Sequence, residues 1–162
     1  MIIKSVRGFK PMYGDDCFFA ENSVLIGDVI MGNNCSIWYS AVVRGDVNSI
    51  KIGDRVNIQD GAVIHGTYLK AKTEIGNDVS IGHNAIVHGC KIENSVLIGM
   101  GSIVMDNSII ESNSIVAAGS VVLENTHIKA GSIFAGVPAK KIKNISEELK
   151  KNEIDRIASS YI

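Results

Sequence analysis

The sequence predicts an all-β fold, a parallel β-helix wound from hexapeptide repeats. Three observations carry that reading: a six-residue apolar period, a small residue at a fixed phase of it, and glycine after many of the apolar positions. From Ile92, steps of six reach Ile98, Val104, Ile110, Val116, Val122, Ile128 and Phe134 without a slip. Two residues before the later members stand Ser102, Ser108, Ser114, Ser120, Thr126 and Ser132.

Upstream the rule holds in triplets, Met31-Ile37-Val43, Ile52-Ile58-Ile64 and Ile75-Ile81-Val87, with insertions between them. Pairs such as Ile52-Gly53, Ile75-Gly76 and Ile81-Gly82 suit a chain that bends after each short strand. The period and the glycines exclude an α-helix. Six residues per side and three sides per turn give an 18-residue coil, with apolar residues inside a triangular prism and small residues at its corners. Periodicity leaves the hand of the coil open, since ordinary parallel crossovers are right-handed.

Residues 1–143 are assigned to this domain, and Gly136-Val137-Pro138 marks its exit turn. The segment 144–162 breaks the repeat and reads as a helix. Ser146 caps it, Glu147 and Glu148 favour its positive end, and Ile154, Ile157, Ala158 and Tyr161 share a face that packs on the prism.

At 162 residues the chain is expected to form one unit with a core that needs no staples. Its 16 basic and 17 acidic residues form no basic stripe, which argues against nucleic acid as a partner. The start MIIKSVRGFKP lacks a signal-peptide pattern and no long apolar run follows, so no membrane partner and a cytoplasmic location are expected. Cys17, Cys35 and Cys90 are odd in number and lack CxxC spacing, so burial of Cys35 and Cys90 is expected rather than a disulfide framework.

Of four histidines, His65, His83 and His88 lie in the central coils and His127 stands apart. Three neutral imidazoles leave one tetrahedral zinc position open, the pattern of a catalytic zinc. His65 follows rung Ile64 and His88 follows rung Val87, so the two share a phase. Their 23-residue separation is one 18-residue coil plus a five-residue insertion. They should stack ~4.8 Å apart at the backbone. His83 lies on the preceding side, roughly 16 Å of extended chain before His88. That mismatch predicts a metal site shared between subunits of a cyclic assembly.

The segments AVVRGDVNSIKIGDRVNIQDGAVIH and SIGHNAIVHGC closely resemble the gamma-class carbonic anhydrase-like family, and the ending GVPAKKI resembles hexapeptide-repeat proteins generally. The likeness runs over nearly the whole chain. It implies a left-handed coil and a homotrimer with zinc held by His65, His83 and His88, His83 coming from a neighbouring subunit. Iron(II) or cobalt(II) suits the same three imidazoles. The resemblance further implies that Gln59 hydrogen-bonds the reacting hydroxide or bicarbonate. Arg44, Asp46 and Asp60 would tie subunits together and orient catalytic groups. Asn57 matches a polar position near Gln59, and Tyr161 a tyrosine on the C-terminal helix of shorter members.

The implied activity is that of a carbonate dehydratase, a lyase that hydrates carbon dioxide reversibly to bicarbonate. Val47 stands where active members carry an acidic residue, and the insertion GTYLKAK offers no carboxylate as a proton shuttle, so turnover is expected to be low. Two alternatives share the repeat: a coenzyme A thioester hydrolase or acyltransferase, and a non-catalytic metal-binding trimer.

Overall fold

In a computed structural model, which describes residues 1–161, the chain winds as a parallel β-helix of three faces. The first face stacks the strand segments beginning at Val24, Val42, Val63, Ile86, Ile103 and Val121. The second stacks those ending at Met31, Ile52, Ile75, Ile92, Ile110 and Ile128. Strands Val24–Met31 and Val42–Ile52 run continuously around the corner between these faces and join them into one 12-stranded sheet. The third face is a separate 8-stranded sheet that includes Ser36–Ile37, Asn57–Ile58, Ser80–Ile81, Leu97–Ile98 and Ile115–Val116.

The six-residue period becomes the core. Ile37, Val43, Ile58, Ile64, Ile81, Val87, Ile98, Val104, Ile110, Val116, Val122 and Ile128 all point inward and are wholly buried. Ser102, Ser108, Ser114, Ser120 and Ser132 are buried beside them, because only a small side chain fits where the prism turns. The corner between the second and third faces uses one residue in the left-handed region. Asn34, Arg55, Asp78, Ser95 and Asn113 supply it in successive coils, with φ between 54° and 58°. Asn and Asp tolerate that conformation better than most side chains. A ladder of side-chain oxygens runs along the same edge: Asn33, Asp54 and Asn77 each donate a backbone N–H to the Asx oxygen one coil on.

At Val137-Pro138 the chain reverses, and strand Lys140–Asn144 pairs antiparallel with Ser132–Ala135. This return strand was not foreseen: KKIKN is exposed throughout and shows no apolar alternation. The helical tail runs from Glu147 to Ser160, capped by Ser146 Oγ accepting from Leu149 N, with a π-helical turn over Lys150–Asp155. Ile154 and Ala158 are buried, and Ile154 packs on Ile115 and Ile133 of the third face. Ile162, the last residue of the expected helical segment, lies outside the described residues. Cys35 and Cys90 are buried and Cys17 is half-buried, all three as free thiols. Burial pushes the Cys35 thiol up to about 11. Among the described residues, no helix is long and apolar enough to cross a membrane.

Candidate functional site

His65 and His88 are direct register partners on adjacent parallel strands of the first face. The five-residue insertion after Ile64 is absorbed by the loop from Gly66 to Ala71, closed by paired bonds between Thr67 and Ala71, and the coil resumes in phase. The two rings stack with centroids 5.1 Å apart, and His65 Nδ1 lies 3.1 Å from His88 Nε2.

Each ring is held from behind by a carboxylate. His65 Nε2 lies 2.9 Å from Asp46 Oδ1, and His88 Nδ1 lies 2.7 Å from Asp106 Oδ1. Arg44 donates to the other oxygen of Asp46 at 2.5 Å, and Thr67 Oγ1 donates to the other oxygen of Asp106 at 2.5 Å. Burial raises both carboxyl pKa values. The hydrogen bonds outweigh it, His65 and Arg44 acting on Asp46 and Thr67 and His88 on Asp106, and both groups lie below the usual carboxylate value.

An ionised carboxylate only accepts hydrogen bonds, so the ring protons sit on His65 Nε2 and His88 Nδ1. The remaining lone pairs, on His65 Nδ1 and His88 Nε2, then face each other across 3.1 Å. Two acceptors at that distance repel unless a proton or a cation lies between them. Two nitrogens bound tetrahedrally to zinc at 2.0–2.1 Å would stand about 3.3 Å apart, close to the spacing present. Carboxylate behind imidazole is also the usual outer arrangement of a metal-bound histidine. The pair therefore fits as two ligands of one zinc ion.

The other predicted residues gather on the third face and its corner. Asn57 and Gln59 are buried there in successive outward positions. Gln59 Nε2 donates to Asn57 Oδ1 at 3.0 Å, and Asn57 Nδ2 donates to Ser80 Oγ at 2.7 Å. This chain fixes the amide orientation and leaves Gln59 Oε1 without a protein donor among the described residues. His83 follows the strand Ser80–Ile81 in a turn, half-exposed, with Nδ1 2.9 Å from Asp60 Oδ2. Gln59, His83, Met100, Ala118, Ile157 and Tyr161 line a cleft of about 350 Å³ between the third face and the tail. Tyr161 stands edge-on to Trp38, with centroids 5.2 Å apart.

One chain thus carries two separate groups of these side chains. Arg44, Asp46, His65 and His88 come together at one edge of the first face, while Asn57, Gln59, Asp60, His83 and Tyr161 gather at the other edge. Among the described residues, no three His, Cys, Asp or Glu side chains of the single chain are placed to hold a metal ion. His127 is exposed and pairs with Glu111 at 2.6 Å, away from both groups. Sequence reasoning missed Asp106. The signal was available in the spacing: Val87 and Ile92 lie five residues apart where the rungs that follow are six apart, which marks an altered corner beside His88.

The family model described as bacterial transferase hexapeptide (six repeats) matches residues 89–124. A carbonic anhydrase from Geobacillus kaustophilus is 37% identical over 161 residues, covering 99% of this chain and 87% of that relative. The chain belongs to the gamma-class carbonic anhydrase-like family of hexapeptide-repeat proteins. Mitochondrial gamma carbonic anhydrase 2 of Arabidopsis thaliana is 41% identical over 144 residues. The chain spans only 52% of the length of that family member. A crystal structure of a hexapeptide transferase family protein from Anaplasma phagocytophilum superposes with a TM-score of 0.90 at 38% identity, covering 99% of this chain and 93% of that one.

Proposed function

We propose that the protein is a zinc-dependent carbonic anhydrase of the gamma class, whose site forms when the His65/His88 half of one subunit meets the His83/Gln59 half of another. The observation that carries this is the facing pair of imidazole nitrogens at 3.1 Å with no third ligand beside them among the described residues of the same chain. A row of outward apolar side chains, Val42, Val63, Ile86, Ile103 and Val121, runs along the face that presents His65 and His88. Covering it with a second copy would bury that row and bring in His83. A closed ring of three such contacts is the assembly that the family resemblance implies.

When bound by three imidazoles, zinc lowers the pKa of water to about 7 and so supplies a nucleophile at neutral pH. The chain's residues then divide the remaining work. Asp46 and Asp106 hold His65 and His88 in the tautomers that direct lone pairs inward. Gln59, its amide nitrogen committed to Asn57, would offer Oε1 as an acceptor that orients the attacking oxygen toward carbon dioxide. Met100, Ala118 and Ile157 give the cleft an apolar wall suited to an uncharged substrate. Proton release falls to solvent and buffer, because the loop 66–72 carries no carboxylate.

Metal analysis together with a carbon dioxide hydration assay tests the proposal. The expected result is zinc-dependent hydration whose turnover rises with added imidazole buffer while kcat/KM stays nearly constant, since buffer acts after the chemical step. A zinc-loaded protein inactive at every buffer concentration would contradict it. The second reading, thioester hydrolysis or acyl transfer from coenzyme A, is favoured by the size of the apolar cleft, which exceeds what carbon dioxide needs. Acyl-coenzyme A turnover in the same preparation would promote it.

A further inference from the structure

The corner beside His88 is shorter than its neighbours. In the next coil the chain passes from rung Val104 through Met105, Asp106 and Asn107 to Ser108, with Asn107 in the left-handed position. In the His88 coil the order is Val87, His88, Gly89 and Cys90, with Gly89 in that position at φ 57°. One corner residue is absent, and the Asp106 side chain fills the space. It is only 6% exposed, although nothing in the repeat requires a carboxylate there. A Cβ on residue 89 would lie 2.4 Å from Asp106 Oδ1, so glycine is needed to let the carboxylate under the turn.

From that place Asp106 reaches two elements distant in sequence. Oδ1 lies 2.7 Å from His88 Nδ1, and Oδ2 accepts from Thr67 Oγ1 at 2.5 Å. Lys70 Nζ, from the same insertion loop as Thr67, lies 3.9 Å from Oδ2 and 3.7 Å from Glu124. The second carboxylate of the site, on Asp46, holds His65 from the opposite side and is itself held by Arg44, so the two imidazoles have independent supports.

We infer that Asp106 is a positioning residue: it selects the nitrogen that His88 presents to a metal ion, and it latches the loop 66–71 to that ligand through Thr67. The inference rests on the metal reading above but concerns a residue outside the expected site. Without the carboxylate, the His88 proton is free to move to Nε2, the nitrogen that faces His65, and the lone pair then points away from the metal position.

Zinc competition against a chromophoric chelator, on the intact protein, tests this. Asp106→Asn should weaken zinc binding by roughly 10–100-fold, the range for loss of such a support, with circular dichroism and melting temperature nearly unchanged. Nitrogen-15 histidine spectra of the metal-free protein in alkaline buffer should show the His88 proton on Nδ1 in the wild type and partly on Nε2 in the variant. Thr67→Val removes only the outer bond and should give a smaller, few-fold loss. It carries the test if Asp106→Asn does not fold, and unchanged zinc affinity would then overturn the inference. For Asp106→Asn, equal zinc affinity overturns it, as does a loss of affinity with the His88 proton unmoved. Wild-type protein that takes up no zinc would sink the metal reading instead, and the proton position alone would then decide whether Asp106 governs His88.

Discussion

Gln59 and His83 separate two kinds of contribution at the scale of single residues. Gln59 is buried, lines the cleft and has its nitrogen committed to Asn57, so it is placed to orient a reactant rather than to hold the fold. Gln59→Ala should lower kcat/KM for hydration by about tenfold or more, the effect of removing a positioned polar group, while zinc content stays at the wild-type level. Parallel metal and rate measurements check this, and an unchanged kcat/KM would return Gln59 to the role of an ordinary coil residue. His83 is half-exposed at a corner and its ring pairs with Asp60, so its removal should spare stability. His83→Ala should stay folded by circular dichroism and lose zinc. The pairing of His65 with His88 was legible in the sequence because both follow an inward rung. Asp106 was not, since its importance comes from a missing residue one coil away, which no residue-by-residue reading of Asp106 reveals.

The elements were legible in proportion to their periodicity. The rungs and the small corner residues repeat strictly and are buried as expected, except for Thr126 and Phe134, which are half-buried. The antiparallel strand Lys140–Asn144 is set by pairing with Ser132–Ala135 after the reversal at Pro138, a long-range cause with no local pattern. The π-helical turn in the tail likewise shows no signal in the spacing of Ile154, Ile157 and Ala158. Energetically, each coil depends on its three rungs. Ile98 is wholly buried in the prism, so Ile98→Ala should cost about 2–5 kcal/mol in denaturant unfolding. Lys91→Ala, on the exposed side of the adjacent face, should change stability by no more than about 0.5 kcal/mol. Equal effects of the two substitutions would mean that the rungs do not carry the fold.

At the scale of the whole molecule, the account requires two half-sites on one chain to be completed by copies of itself. In a cyclic trimer each chain gives His65 and His88 to one interface and His83 to the other. The sequence suggested this through the phase mismatch of His83, and the structure keeps His83 on a different edge of the prism from the imidazole pair. The most direct test is the zinc content of trimers reassembled from His83→Ala and His88→Ala chains. Each variant alone should bind no zinc. A random equal mixture should regain about a quarter of the wild-type stoichiometry, because one interface in four then joins an intact pair to an intact His83. Zinc retained by His83→Ala alone, or none recovered in mixed trimers verified by mass, would contradict the shared site.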